Sequence, residues 1–211
     1  MAPMHILVMA KAPVPGRVKT RLCPPCSPAE AAALAEAALA DTLDAVAASG
    51  ATRRILALDG RPGPWLPAGF EVVPQGHGGL DERLASAWAA AGGPGVQIGM
   101  DTPQVTAGLL NGALASLDTA PAALGPAVDG GWWALGLRRP DPAVFRGVPM
   151  STGGTGAAQL ARLRSLGLNV AALPSLVDLD TVDDLPAVVD AAPESRTAAL
   201  AVRLGLVRFL V

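Results

Sequence analysis

The run His5-Ile6-Leu7-Val8-Met9-Ala10, passing directly into Lys11-Ala12-Pro13-Val14-Pro15-Gly16-Arg17-Val18-Lys19-Thr20-Arg21-Leu22, decides how the rest of the chain is read. Its first half is a near-continuous apolar stretch. That pattern belongs to a strand buried on both faces, as in a parallel sheet covered by helices on each side. Its second half is a stiff, basic loop that continues to Pro25. Ser27-Pro28-Ala29-Glu30 then reads as a capping box with Pro at the first helical position, opening a helix that runs to about Ala48 and stops at Gly50.

The same alternation continues outward. Strands are expected at Arg54–Leu58, Phe70–Val73, Val96–Met100, Ala122–Leu124, Trp132–Leu137 and Asn169–Leu173. Helices are expected at Leu80–Ala91, Thr106–Leu117, Thr155–Leu166, Val182–Ala191 and Ser195–Phe209. Strands alternating with helices of this length imply right-handed crossovers and a mostly parallel sheet, hence a three-layer α/β/α fold. With 211 residues and neither repeat nor long linker, residues 1–211 are expected to form one domain.

Composition narrows the partners. Sixteen basic and eighteen acidic residues give a formal charge of −2, without the basic excess that a nucleic-acid or anionic-membrane surface needs. Apolar residues make up 51% of the chain, but no uninterrupted run approaches the roughly 20 residues of a spanning helix. The amino-terminal apolar run is short and has no basic leader, so a cytoplasmic protein acting on small molecules is expected. Cys23 and Cys26 form a Cys-Pro-Pro-Cys run. It reads either as a redox pair or, with the greater weight, as a turn that contains two thiols.

In a parallel α/β sheet, ligands bind outside the carboxyl ends of the strands. The loop after the first strand carries Lys11, Arg17, Lys19 and Arg21, with Gly16 permitting close backbone approach. Arg as a planar bidentate donor and Lys as a movable point charge suit phosphate. Neither a dinucleotide fingerprint nor a Walker loop is present. Asp101 directly follows another strand, with Pro103 fixing the turn; its alternative role is as a cap for the helix near Thr106. Asp178 and Asp180 are two apart, so in extended backbone their side chains point the same way. Asp180 or Thr181 also suits a helix cap. Asp129-Gly130-Gly131 before Trp132-Trp133 reads as a tight hairpin turn or as a ligand-facing segment with stacking area. Ser151-Thr152 suits either a helix cap or an acceptor phosphate. Neither His5 nor His77 has a visible nucleophile or orienting partner, so no catalytic histidine is assigned.

Six segments in order carry a family resemblance. They are Lys11-x-Pro13-x-Pro15-Gly16-x-x-Lys19-Thr20-Arg21-Leu22, Gly79-Leu-Asp-Glu-Arg83-Leu, Ile98-Gly-Met-Asp101-Thr-Pro103, Leu124-Gly-Pro-Ala-Val-Asp129-Gly-Gly-Trp-Trp, Ser151-Thr152, and Asp178-Leu-Asp180-Thr-Val-Asp183-Asp184-Leu. Together they resemble the bacterial family of the domain of unknown function 2064, within the nucleotide-diphospho-sugar transferase (glycosyltransferase-A) superfamily. A more distant likeness is to phospholactate guanylyltransferases. The resemblance implies a glycosyltransferase-A-like fold, a nucleotide or nucleotide-sugar donor, a small-molecule acceptor, and Mg²⁺ or Mn²⁺ held by Asp101 and Asp180. It implies phosphate binding by Lys11, Gly16, Arg17, Lys19 and Arg21, and acceptor binding by Gly130, Gly131, Ser151 and Thr152. Asp101 and Asp129 are the implied catalytic groups, with Asp129 as base or hydroxyl anchor. Two departures are visible: Asp101-Thr-Pro replaces the Asp-x-Asp common in sugar transferases, and Trp132-Trp133 replaces the family's usual Tyr-Tyr. Glycosyl transfer leads, with nucleotidyl transfer releasing pyrophosphate close behind. Nucleotide binding without catalysis is the reading from another class.

Overall fold

The structure is a computed structural model, and it describes residues 3–207. The expected first strand is β1 (His5–Lys11), and the capping box opens α1 (Pro28–Ala47). Ser27 Oγ accepts from the Glu30 N–H at 3.3 Å, and the Glu30 carboxylate accepts from the Ser27 N–H at 2.8 Å. Next come β2 (Arg53–Asp59), β3 (Glu71–Pro74), α2 (Leu80–Ala91), β4 (Gly95–Ile98) and α3 (Ala107–Thr119). The hairpin β5 (Ala122–Pro126) and β6 (Trp132–Leu137) follows, then α4 (Thr155–Ser165), β7 (Val170–Ala172), α5 (Leu185–Ala191) and α6 (Arg196–Arg203).

The strands form one sheet in the order β3-β2-β1-β4-β6-β5-β7. β6 runs antiparallel to both neighbours, and every other pairing is parallel. Alternation along the strands divides the core. Ile6, Val8 and Ala10 of β1 face the side covered by α1 and α3, whereas Leu7 joins Leu84 and Trp88 of α2 on the other. The fold is therefore α/β with helices on both faces. α1 is buried twice over: Leu39 and Leu43 face the sheet, while Leu34 and Ala38 pack with Leu185 and Ala198 of the outer α5–α6 pair. This accounts for its Ala-rich, nearly apolar sequence.

Most boundaries differ from expectation by a residue or two, and three of the differences have a visible cause. β4 stops at Ile98 rather than Met100 because its ladder with β1 ends at the Val8–Ile98 pair. Past that point the Lys11 N–H turns to the Met100 sulfur at 3.2 Å. The helix expected over Val182–Ala191 begins as a 3-10 turn (Val182–Asp184), because Pro186 has no N–H for a continuous α-helical ladder. α6 ends at Arg203. Gly205, at φ +70°, lets its own N–H and that of Leu206 close back on Val202 and Ala201, which terminates the helix. Phe209, the expected end, lies outside the described residues.

The chain leaves β1 toward β2 on one side, then returns from β3 to β4 on the other. The order of strands thus reverses between β1 and β4, where a crevice opens at the carboxyl edge of the sheet.

Candidate active site

A cavity of about 750 Å³ occupies that crevice. The loop after β1 forms one wall. Val14-Pro15-Gly16-Arg17 makes a turn closed by the Arg17 N–H on the Val14 carbonyl at 3.0 Å, with Gly16 at φ +74° in the third position. Lys11, Arg17, Lys19 and Arg21 all reach the cavity. Gly16 does not line it: the glycine meets the backbone demand of the turn instead of bringing main chain to a ligand.

The opposite wall is acidic, and one pairing builds it. After β4 the Asp101 carbonyl accepts from the Leu179 N–H at 2.8 Å, and the Gln104 side chain donates to the Val177 carbonyl at 2.6 Å. The segment Val177–Asp180 is thereby laid against Asp101. Leu179 is buried in the α1–α5–α6 core, which turns Asp178 and Asp180 together toward the cavity. Lys19 Nζ bridges the two walls, 2.7 Å from Asp101 Oδ1 and 2.9 Å from Asp180 Oδ1, with a side chain only 6% exposed. Burial alone would push this ammonium's pKa down, but the carboxylates of Asp101 and Asp180 outweigh it and the net shift is upward. Arg21 Nη1 lies 3.6 Å from Asp180 Oδ2 and is largely exposed. Asp178 is pushed up to about 7, first by burial and then by the negative charges of Asp101, Asp129 and Asp180. Thr181 stands at the start of the following turn, but the capping carboxylate is that of Asp184, which accepts from the N–H groups of both Asp180 and Thr181. The Asp180 carboxylate, expected as an alternative cap, goes to Lys19 instead. Asp101 caps no helix; Thr106 caps α3.

The Asp129 loop is a tight turn with a carboxylate on its rim. Asp129 Oδ1 accepts from the Gly131 N–H at 2.7 Å, and the Gly130 N–H closes on the Ala127 carbonyl at 3.1 Å. Gly131 and Asp129 line the cavity, but Gly130 does not. Gly130 has φ +88°, and a side chain there would collide with the Gly153 carbonyl. Its freedom serves backbone-to-backbone packing against the start of α4. Ser151 and Thr152 lie on the wall. Thr152 takes part in the local bonding at that helix end, with its Oγ1 accepting from the Gly154 N–H at 3.3 Å. Trp132 lines the cavity, and Trp133 is buried with its indole N–H donating to the Pro174 carbonyl at 2.8 Å.

Sequence reasoning assigned no role to the far end of the cavity. Gln75 donates to the carbonyls of Ala10 and Ala57, at the ends of β1 and β2, and accepts from Arg83 Nη1 at 3.1 Å. Gln97 is fully buried and accepts from the Trp88 indole at 3.1 Å. Arg83 stood in a quoted motif, but nothing in its spacing pointed to Gln75. His5, by contrast, lies at the opposite end of β1, packed edge-on to Trp88, away from this chemistry. Cys26 is buried among Leu22, Leu179 and Leu185, and burial raises its thiol pKa further from the thiolate that redox chemistry uses.

The fold is that of a nucleotide-diphospho-sugar transferase-like α/β protein, with a cavity at the strand-order reversal. Residues 32–152 match the model of the family described as "Uncharacterized protein conserved in bacteria (DUF2064)", and the chain belongs to that family. A protein from Desulfovibrio desulfuricans G20, described as a candidate nucleotide-diphospho-sugar transferase, is 29% identical. The match covers 98% of this chain and 97% of that one, with a TM-score of 0.88. A Mycobacterium tuberculosis H37Rv protein solved in complex with manganese is 22% identical over 90% of this chain and 100% of its own, with a TM-score of 0.52. The 2-C-methyl-D-erythritol 4-phosphate cytidylyltransferase of Thermus thermophilus is 18% identical over 94% of this chain and 98% of its own, with a TM-score of 0.53. These last two share the fold. No curated protein sequence matches the chain. Among the described residues no helix is long and apolar enough to cross a membrane.

Proposed function

We propose that this chain is a divalent-metal-dependent transferase that moves a glycosyl group from a nucleotide sugar to a small acceptor. The observation that carries the reading is the convergence of Asp101 and Asp180 on one positive charge, inside a cavity whose other wall is basic. Their oxygens are the donors that a hard cation takes. Among the described residues no three His, Cys, Asp or Glu side chains gather as a metal cluster, so water and phosphate oxygen would complete the shell. That is the habit of Mg²⁺ or Mn²⁺ on a nucleotide. When bound, the metal would supply charge neutralisation for the departing diphosphate.

The chain's own residues do the rest. Lys11, Arg17 and Arg21 offer cationic donors to the phosphates from the β1 loop. Asp129 stands on the acceptor side, where its second oxygen can orient a hydroxyl or take its proton. Ser151, Thr152 and Gly131 form the rim that the acceptor would meet. The likeness to the Desulfovibrio protein supports a nucleotide-sugar donor.

A second reading, nucleotidyl transfer, is favoured by one specific feature. The two carboxylates come from separate strand ends instead of a contiguous pair, and more cations line the β1 loop than a diphosphate requires. A thermal-shift screen of nucleotides and nucleotide sugars, with and without Mg²⁺, identifies the donor. Product analysis then separates the chemistries: free nucleoside diphosphate supports glycosyl transfer, and pyrophosphate overturns it. Neither product from any bound donor would leave a binding protein.

A further inference from the structure

The chain contains two lysines against fourteen arginines, and both lysines, Lys11 and Lys19, lie on the β1 loop. Lys19 holds a backbone conformation unusual for a side-chain-bearing residue, φ 47° and ψ 38°. Its carbonyl accepts from the Leu22 N–H at 3.0 Å, so the main chain is fixed by the 3-10 turn Thr20–Leu22 while the side chain extends inward. The ammonium reaches the point on which Asp101 Oδ1 and Asp180 Oδ1 converge. An arginine would clamp such a pair with a flat, rigid fork; an ammonium on a flexible stem is a compact ion that can leave.

We infer that Lys19 is an exchangeable counter-ion: it holds the Asp101–Asp180 pair together in the free protein and must swing away when a divalent cation enters. This inference rests on the metal reading above. A divalent cation and the ammonium on the same two Oδ1 atoms would repel each other at close range. With the Lys19 side chain only 6% exposed, water screens that repulsion little on the ammonium's side, though the carboxylates themselves are over a third exposed. The displaced ammonium has a destination, since the cavity it lines also receives Lys11, Arg17 and Arg21 and would hold the donor's phosphates. Metal and donor binding are therefore coupled: each favours the conformer in which Lys19 has left the carboxylates. Metal alone must compete with the resident ammonium.

The test reads metal binding directly. Mn²⁺ alone, titrated with detection of free Mn²⁺ by electron paramagnetic resonance, is expected to bind Lys19→Met at least about tenfold more tightly than wild type. Because removing the ammonium leaves facing carboxylates, the same question is also put to the intact chain. With ¹³C-labelled lysine only two side-chain Cε signals arise, and Mg²⁺ is expected to move that of Lys19 toward the exposed Lys11 position. A Lys19→Met affinity equal to or weaker than wild type, or a Lys19 signal that stays in place as Mg²⁺ saturates, overturns the inference. Asp101→Asn separates the two levels. If Mn²⁺ binds and this variant weakens it while Lys19→Met gains nothing, only the exchange is wrong. If Mn²⁺ binds neither wild type nor Lys19→Met, the metal reading falls and the exchange with it.

Discussion

The Leu179 N–H donates to the Asp101 carbonyl at 2.8 Å, and this bond aligns two segments far apart in sequence so that the carboxylates of Asp101 and Asp180 meet one cation. A backbone bond of this kind is indifferent to the side chains it carries. The site can therefore be probed by changing carboxylates without disturbing the segment that holds them.

Asp101→Asn and Asp180→Asn should each lose turnover by a factor of about 10² or more, corresponding to roughly 3 kcal/mol of transition-state stabilisation. Both should keep a wild-type circular-dichroism spectrum, because each replacement preserves shape and the Leu179 bond is main-chain. Wild-type rates for both in metal-replete buffer would show that the pair does not serve the reaction.

Gly130→Ala should destabilise the protein by about 2 kcal/mol or more. The residue sits at φ +88°, and its new methyl would meet the Gly153 carbonyl. The Asp129 turn would have to move away from the start of α4, so the Michaelis constant for acceptor should rise more than that for donor. Chemical denaturation and steady-state kinetics on one preparation test both parts. An unchanged denaturation midpoint would mean that the turn is looser than this packing implies.

Asp41 of α1, whose side chain is 8% exposed, accepts from the N–H groups of Arg196 and Thr197 and from the Thr197 hydroxyl at 3.1, 3.0 and 2.8 Å. It thus completes the capping of α6 from another helix. Asp41→Ala should cost on the order of 2 kcal/mol, since several donors at a helix start lose their acceptor together. Nucleotide affinity should not change, as this contact lies outside the cavity. A stability loss below about 0.5 kcal/mol would show that water replaces the carboxylate.

His5 makes the fold acid-sensitive for a reason unrelated to its chemistry. Its pKa is lowered to about 4, by burial first and then by Arg53, with Glu71 opposing. The folded state thus binds this proton less readily than the unfolded chain, whose histidine titrates near 6.5. Stability from this group is fully present above pH 6.5 and is lost as pH falls toward 4, by no more than about 3 kcal/mol. His5→Gln should flatten the stability profile across that window. A variant profile parallel to wild type would assign the acid sensitivity elsewhere.

Much of the architecture is legible in the sequence. The apolar run of β1, the capping box at Ser27 and the Gly-Gly stop after α2 are local signals, set by side-chain period and backbone permission over a few residues. For that reason α2 and β6 fall on the expected residues. The basic loop was legible as well, because its charges are contiguous in sequence. The Asp178–Asp180 alternation was readable because extended backbone has a period of two.

What the sequence by itself determined, then, was the fold class, the family and the residue types at the sheet edge. Only tertiary structure decided which of those residues meet. It placed Lys19 between Asp101 and Asp180, withdrew Gly16 and Gly130 from the cavity wall, and brought Gln75 and Arg83 to its far end. It also capped α6 with Asp41 from α1. The physical reason is range. Propensity, capping and periodicity act within a turn or two of chain, whereas a carboxylate pair depends on strand order and on single hydrogen bonds between distant segments, such as the one from Leu179 to Asp101.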